Sequence, residues 1–394
     1  MAWELGAGLG HCVNIAPVAA ALNKRGHQVF IVARDLGAAQ TVFGGMKVEV
    51  LQAPRLPNPV AGYIAEPRTF AHLLFNNGFG DRETLRALLA GWLSIYRLVK
   101  PDVVIGEYSP TAMLAAKWTA ARKGLIGTGF FAPPNISPMT DLRPWRGPIP
   151  AGTHDAEAKC LDCVNALLSA GKQQPLSALA ELYSDVDHNF LTTFPELDHF
   201  LERTDGEYFG MWSPPGGRAV SWRSQEGKRA FVYIKPPRKH IDWRPTRVLQ
   251  TMEKMKVETI AYAPRIEWKP EPNSSVRVSN KPVNLTKISQ QCDVAILNGN
   301  AGTSTELLLR GVPQLLIPLS LEQLVFTRRV VQQRAGLLVL PSKTNLVGSA
   351  LKQLLYDHAY KTAAKAFADR YSDYSPAEKI KQIVEAIDQL TQKT

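Results

Sequence analysis

Apolar and polar positions along the chain follow two periods. Short apolar, β-branched runs predict buried strands at 28–34, 48–52, 103–106 and 125–131. Between them, stretches with a 3.6-residue period predict helices at 13–24, 83–99 and 112–121. Gly26 stops the first helix, and Pro101 separates a helix from the strand after it. Strands next to short helices imply a parallel sheet covered on both faces. The region 154–205 reads as helical and proline-punctuated, and Ser213-Pro214-Pro215-Gly216-Gly217 reads as a linker. A second alternation then predicts strands at 229–234, 259–262, 276–278, 294–297 and 314–318. Its helices fall at 244–255, 303–310 and 322–335, the last ended by Gly336. Ser375-Pro376-Ala377-Glu378 is a capping box opening an amphipathic helix to about Leu390.

The expected architecture is therefore α/β, with two Rossmann-like domains facing across a cleft. The domains are expected at 1–212 and 213–374, with the helix of 375–394 packing back toward the first. One feature is irregular: only Met1–Leu5 precedes the first glycine loop. Either the opening strand is very short or the native start lies upstream, and the second is the expectation.

Composition narrows the class. A length of 394 residues suits two domains, and 45% hydrophobic with 21% charged residues excludes bulk disorder. No apolar run approaches the roughly 20 residues a membrane helix needs, and the N-terminus lacks a signal-peptide pattern, so a cytoplasmic protein is expected. Four cysteines exclude a disulfide scaffold. Cys160 and Cys163 form one C-x-x-C without a second pair, so they read as structural and no metal is expected. The net charge of +11 is concentrated: Arg218 to Lys256 carries eleven Lys/Arg against Glu226, Asp242 and Glu253. Such a field suits phosphates or an anionic membrane surface. No nucleic-acid motif accompanies it, so nucleic acid is not an expected partner.

Two glycine-rich turns carry the candidate chemistry. Gly6-Ala7-Gly8-Leu9-Gly10-His11 departs from a dinucleotide fingerprint, because His11 occupies the third glycine position and Asp35 is the nearest acid at ribose spacing. A histidine at a helix entrance beside glycines can exchange protons with a ligand that approaches the backbone. The second turn, Asn298-Gly299-Asn300-Ala301-Gly302-Thr303-Ser304-Thr305-Glu306, runs from a strand end into a helix. Small residues and free helix-start N–H groups suit a diphosphate there, and Glu306 lies where it can accept from a ribose. After Gly311-Val312-Pro313 comes Pro318-Leu319-Ser320-Leu321-Glu322-Gln323, a carboxylate and an amide suited to sugar hydroxyls.

These motifs, with Arg25-Gly26-His27-Gln28-Val29, resemble GT-B glycosyltransferases of the UDP-glycosyltransferase, glycosyl transferase family 1 type. The likeness covers nearly the whole chain and is weakest across 135–225. It implies an inverting transfer of a sugar from a nucleotide diphosphate, UDP or TDP, to an acceptor hydroxyl, with no further cofactor. By resemblance His11 matches the base and Glu107 the acid that orients it. Asn298, Gly299, Gly302, Thr303 and Ser304 fall at the phosphate turn, Glu306 at the ribose, and Glu322 and Gln323 at the sugar. Two departures stand out: Asn298 and Asn300 replace a His and a Gly of the usual signature, and Ser279-Asn280-Lys281-Pro282-Val283 lacks the aromatic that stacks on the donor base. Lys235 or Arg238 is expected to supply the cation that the missing His would bring. The segment 130–146, with Phe130, Phe131 and Trp145, implies an apolar or aromatic acceptor. The competing reading is a non-catalytic GT-B binding protein. A sugar-nucleotide epimerase is weaker, because Glu322-Gln323 points to transfer.

Overall fold

The computed structural model describes residues 1–56, 59–213, 216–223, 226–236 and 241–392. The chain divides into two compact units, Met1–Gly210 with Ser375–Thr394, and Met211–Tyr374. The first change of unit thus falls two residues before the expected 212/213 boundary.

The first unit is built on a parallel sheet of order β3-β2-β1-β4-β5-β6-β7. Its strands are β1 Ala2–Trp3, β2 Phe30–Ala33, β3 Glu49–Gln52, β4 Val103–Glu107, β5 Arg122–Gly127, β6 His188–Leu191 and β7 Glu207–Tyr208. The opening strand is two residues long. It lies between β2 and β4, with Trp3 in register with Ala33 on one side and Glu107 on the other. The predicted strand at 125–131 is displaced: β5 ends at Gly127, and Gly129–Phe131 forms a 3₁₀ turn. Its polar start hides the strand from an apolar search, because Arg122 and Lys123 pair with Asp187 and Asp185. The helix expected at 13–24 begins at Gly10, which puts His11 in its first turn. Asp35, the nearest acid at ribose spacing, instead caps the helix Leu36–Phe43, accepting from Ala38 N–H at 3.0 Å.

The C-terminal helix Pro376–Thr391 belongs to this unit. Ser375 Oγ accepts from Glu378 N–H, and Ile383, Val384, Ile387 and Leu390 are buried. The helix packs on Gly10–Lys24, where Asp388 meets His27 Nε2 at 2.6 Å and also bonds Arg25.

The second unit has a six-stranded parallel sheet of order β10-β9-β8-β11-β12-β13. Its strands are β8 Arg229–Tyr233, β9 Glu258–Tyr262, β10 Val276–Ser279, β11 Val294–Leu297, β12 Gln314–Leu316 and β13 Gly336–Leu338. Gly336, read as a helix stop, also opens β13. One sheet face buries Val232, Ile234, Ile296 and Leu315 against Val248, Met252 and Leu351. Each such side chain contributes about 1.5–3 kcal/mol of hydrophobic stabilisation. In both units the helix-entry turns sit at the carboxyl ends of parallel strands, where α/β sheets bind ligands. Among the described residues no helix is long and apolar enough to cross a membrane.

Candidate active site

His11 and Glu107 are 96 positions apart, yet their side chains meet. β1 and β4 are neighbours, so the helix following β1 starts beside the end of β4. Glu107 Oε2 lies 2.8 Å and Oε1 3.0 Å from His11 Nδ1. Glu107 is 1% exposed and His11 7% exposed. A carboxylate held on Nδ1 fixes the tautomer with the proton on that nitrogen, leaving Nε2 as the basic atom. Nε2 has no hydrogen-bond partner among the described residues. The arrangement can take one proton from a hydroxyl and stabilise the resulting imidazolium.

The imidazole is set among three aromatic rings: Trp3 and Tyr108, which sequence reasoning missed, and Phe131, expected in the acceptor wall. Trp3 stacks on the imidazole with centroids 5.2 Å apart and planes 18° from parallel. Tyr108 lies at 6.3 Å and 20°, and Phe131 at 4.8 Å and 49°. The available signal was the end of β1 beside the glycine turn, but a two-residue strand shows no period. Gly6 has φ +83° and brings its backbone against the ring. Beneath the turn, buried Glu4 accepts from Thr111 and Ala112 N–H at 3.0 and 3.1 Å. Burial pushes its carboxyl up to about 7, against the pull of those hydrogen bonds and Arg34. Phe130, expected in the acceptor wall, is instead a core residue among Phe70, His199 and Phe200. Phe131 and Trp145 remain half-buried.

In the second unit the turns after β11 and β12 correct three expectations. Asn298 is fully buried, and its amide is consumed internally: Oδ1 accepts from Lys235 N–H at 2.7 Å, and Nδ2 donates to Ile317 O at 2.8 Å. It therefore ties β8, β11 and β12 together and is not presented to a phosphate. Ser304 is also fully buried, because the helix Ala301–Leu308 turns it into the core. Gln323 is 4% exposed and acts as a brace, accepting from Leu319 N–H and donating to Asn300 Oδ1, each at 2.8 Å.

The rest of the turn keeps its ligand-facing character. Gly299 has φ +73°, and a Cβ there would stand 2.6 Å from Thr327 Oγ1, so only glycine makes this bend. Asn300 makes no side-chain cap on the following helix, whose first turn carries no acid. Its opening N–H groups, from Ala301, Gly302 and Thr303, suit an anion. Gly302 and Thr303 are half-buried. Glu306 is half-buried and 3.4 Å from Arg310, and Glu322 is half-buried in the first turn of Leu321–Gln332. Lys235 is half-buried, while Arg238 lies outside the described residues. No group of three or more His, Cys, Asp or Glu among the described residues could hold a metal ion. Cys160 is buried on the helix Asp155–Ala170, and burial pushes its thiol well up.

Comparison with known proteins gives this geometry a context. Residues 247–386 match the family described as erythromycin biosynthesis protein CIII-like, C-terminal domain. Over 325 residues the chain is 23% identical to the PGL/p-HBAD biosynthesis rhamnosyltransferase of Mycobacterium bovis (strain BCG / Pasteur 1173P2), covering 78% of this chain and 72% of that one. The fold is similar to the glycosyltransferase VinC in complex with DTDP, with TM-score 0.70, 15% identity, and 100% and 99% of the two chains covered. It is also similar to the spinosyn rhamnosyltransferase SpnG complexed with spinosyn aglycone, with TM-score 0.69, 16% identity, and 97% and 98% covered. Fold and turn together are those of the GT-B class, two parallel-sheet Rossmann-like units. The relatives that the chain matches are glycosyltransferases.

Proposed function

We propose that the enzyme transfers a sugar from a nucleoside diphosphate to a hydroxyl of an apolar or aromatic acceptor, with inversion at the anomeric carbon. The observation that carries this reading is the hydrogen bond from His11 Nδ1 to buried Glu107. An acceptor hydroxyl is a weak nucleophile until a base about 3 Å away removes its proton as the new bond forms. His11 Nε2 is that base, and Glu107 holds the imidazolium. Glu107 is committed to Nδ1 and shielded from solvent, so it is not a nucleophile for a covalent glycosyl intermediate. A single displacement by the acceptor inverts the centre.

The second unit supplies the grip on the diphosphate through the N–H groups that open the helix Ala301–Leu308, with Gly302 and Thr303 allowing close approach. Glu306 and Glu322 are the carboxylates assigned to donor hydroxyls, and Lys235 supplies positive charge. Thymidine or uridine diphosphate is the expected carrier; the bound DTDP of VinC supports the former. The aromatic rings beside His11 favour an acceptor with an apolar body, in keeping with the spinosyn aglycone of SpnG.

The test offers TDP- and UDP-sugars together with a pool of phenols and polyketide alcohols, and reads products by mass spectrometry. The anomeric configuration of the product is then compared with that of the donor by NMR. A new glycoside of inverted configuration is expected. Nucleotide binding with no turnover on any acceptor, or a retained configuration, contradicts the proposal.

A further inference from the structure

We propose that Trp3 is an electrostatic positioning residue for the transfer, its indole face stabilising the imidazolium that forms on His11. The inference rests on the reading of His11 as base and adds a second source of stabilisation to Glu107. The indole is fully buried and stacked on the imidazole at 5.2 Å and 18°. It is also fixed in place, because Trp3 Nε1 donates to Leu5 O at 2.6 Å and the strand residue pairs with both β2 and β4. The negative face of an aromatic ring attracts a cation, and tryptophan does so most strongly. Burial enlarges the effect, since little water competes for the charge. Neutral imidazole gains much less from the same face. The stack therefore favours the protonated product of the base step over its neutral reactant.

Other ionisable groups near the ring are already engaged or distant in role. Glu107 closes β4 and makes the direct bond, and Tyr108 follows it. Glu4 on β1 is taken up by Thr111 and Ala112 N–H, and Arg34 donates to its backbone oxygen. Cys12 on the same helix has its thiol pushed up to about 12, first by burial and then by Glu107 and Asp35. Asp35 caps the neighbouring helix, and Asp388 of the C-terminal helix binds Arg25 and His27 at the far end of Gly10–Lys24. Tyr108 and Phe131 also present rings to the imidazole, at 6.3 and 4.8 Å, so altering the indole's electrons alone isolates the contribution of Trp3.

The test replaces Trp3 site-specifically with mono- and tetrafluorinated tryptophan, which keep the shape while draining the ring's negative face. The titration of His11 is followed by NMR in the full chain, its signal assigned by its loss in His11→Gln. The midpoint should move to lower pH in step with fluorination, by roughly half a pH unit for the fully drained ring, on the order of a three-fold loss in proton affinity. Trp3→Phe, which retains a weaker face, should fall between. In the transfer assay the acidic limb of kcat moves the same way and the plateau falls, while donor KM stays unchanged. A midpoint that does not respond to fluorination overturns the role of Trp3. The NMR readout requires no turnover, so it decides this point even if His11→Ala removes the assignment of His11 as base.

Discussion

A methyl group on the α-carbon of Gly6 would stand 2.3 Å from His11 Nε2 and 2.7 Å from its Cε1. No real contact is that short, and φ +83° at Gly6 already disfavours any side chain. The glycine is therefore required by the position of the imidazole as well as by the turn. Gly6→Ala should push the ring off Glu107 and lower kcat by at least about 100-fold, the cost of roughly an ångström of misplacement. Donor affinity, proposed to reside in the other unit, should be unchanged. Calorimetric titration with TDP beside a turnover assay checks both halves; an active Gly6→Ala enzyme contradicts the placement.

Asn298 now predicts the reverse of what a phosphate ligand would. With both ends of its amide bonded and the side chain fully buried, Asn298→His breaks two internal hydrogen bonds and crowds the junction of β8, β11 and β12. The loss should be about 2–3 kcal/mol, seen as a fall of several degrees in the melting of the second unit. Donor binding should not strengthen at any pH between about 5.5 and 7.5, where a histidine gains charge. Unchanged melting with tighter binding at acidic pH would restore the phosphate role.

Glu4 gives a pH dependence of stability. Burial raises its carboxyl from 4.5 in the unfolded chain to about 7. The folded state thus holds the proton more tightly, and the associated stability is full below pH 4.5 and lost as pH rises through 7. A shift of that size corresponds to about 3 kcal/mol. Glu4→Gln, which keeps a carbonyl for Thr111 and Ala112 N–H, should remove this dependence and be the more stable protein at pH 8. Parallel denaturant curves of wild type and variant at pH 4.5 and 8 measure it.

The C-terminal helix is tied by Asp388, whose carboxyl burial alone would raise but which Arg25 and His27 hold below the ordinary range. Its contribution is present above the unfolded value and is lost as pH falls through the lowered one. Asp388→Asn should weaken the helix by at most about 1 kcal/mol, since the groups are largely hydrated. Faster amide exchange confined to Pro376–Thr391 and the facing helix is the expected signature. Unaltered exchange there would show that Ile383, Val384, Ile387 and Leu390 hold the helix without it.

The parallel α/β architecture was legible because buried strands such as Val294–Leu297 carry unbroken apolar runs and helices such as Arg82–Val99 keep their period. β1, β7 and β13 have two or three residues each, too few for a pattern, and the sheet defines them through their neighbours. At the site, the pairing of His11 with Glu107 was readable only through the family resemblance, and the adjacency of β1 and β4 is what brings the two together. Side-chain direction was not readable in this way. Asn298 and Ser304 occupy motif positions, but the bend at Gly299 and the rotation of Ala301–Leu308 point them inward, and Gln323 on Leu321–Gln332 is drawn in by Leu319 and Asn300. The stack on His11 was invisible because it depends on register between Trp3 and Glu107 across parallel strands.

The central claim is that His11 Nε2 removes the acceptor proton while Glu107 steadies the ring. The most direct measurement is kcat of His11→Ala with a TDP- or UDP-sugar and an accepted alcohol, taken with the affinity for the nucleotide. kcat should fall by about 10²–10⁴ with donor affinity little changed, and by less for Glu107→Gln. Near-normal turnover by His11→Ala would contradict it.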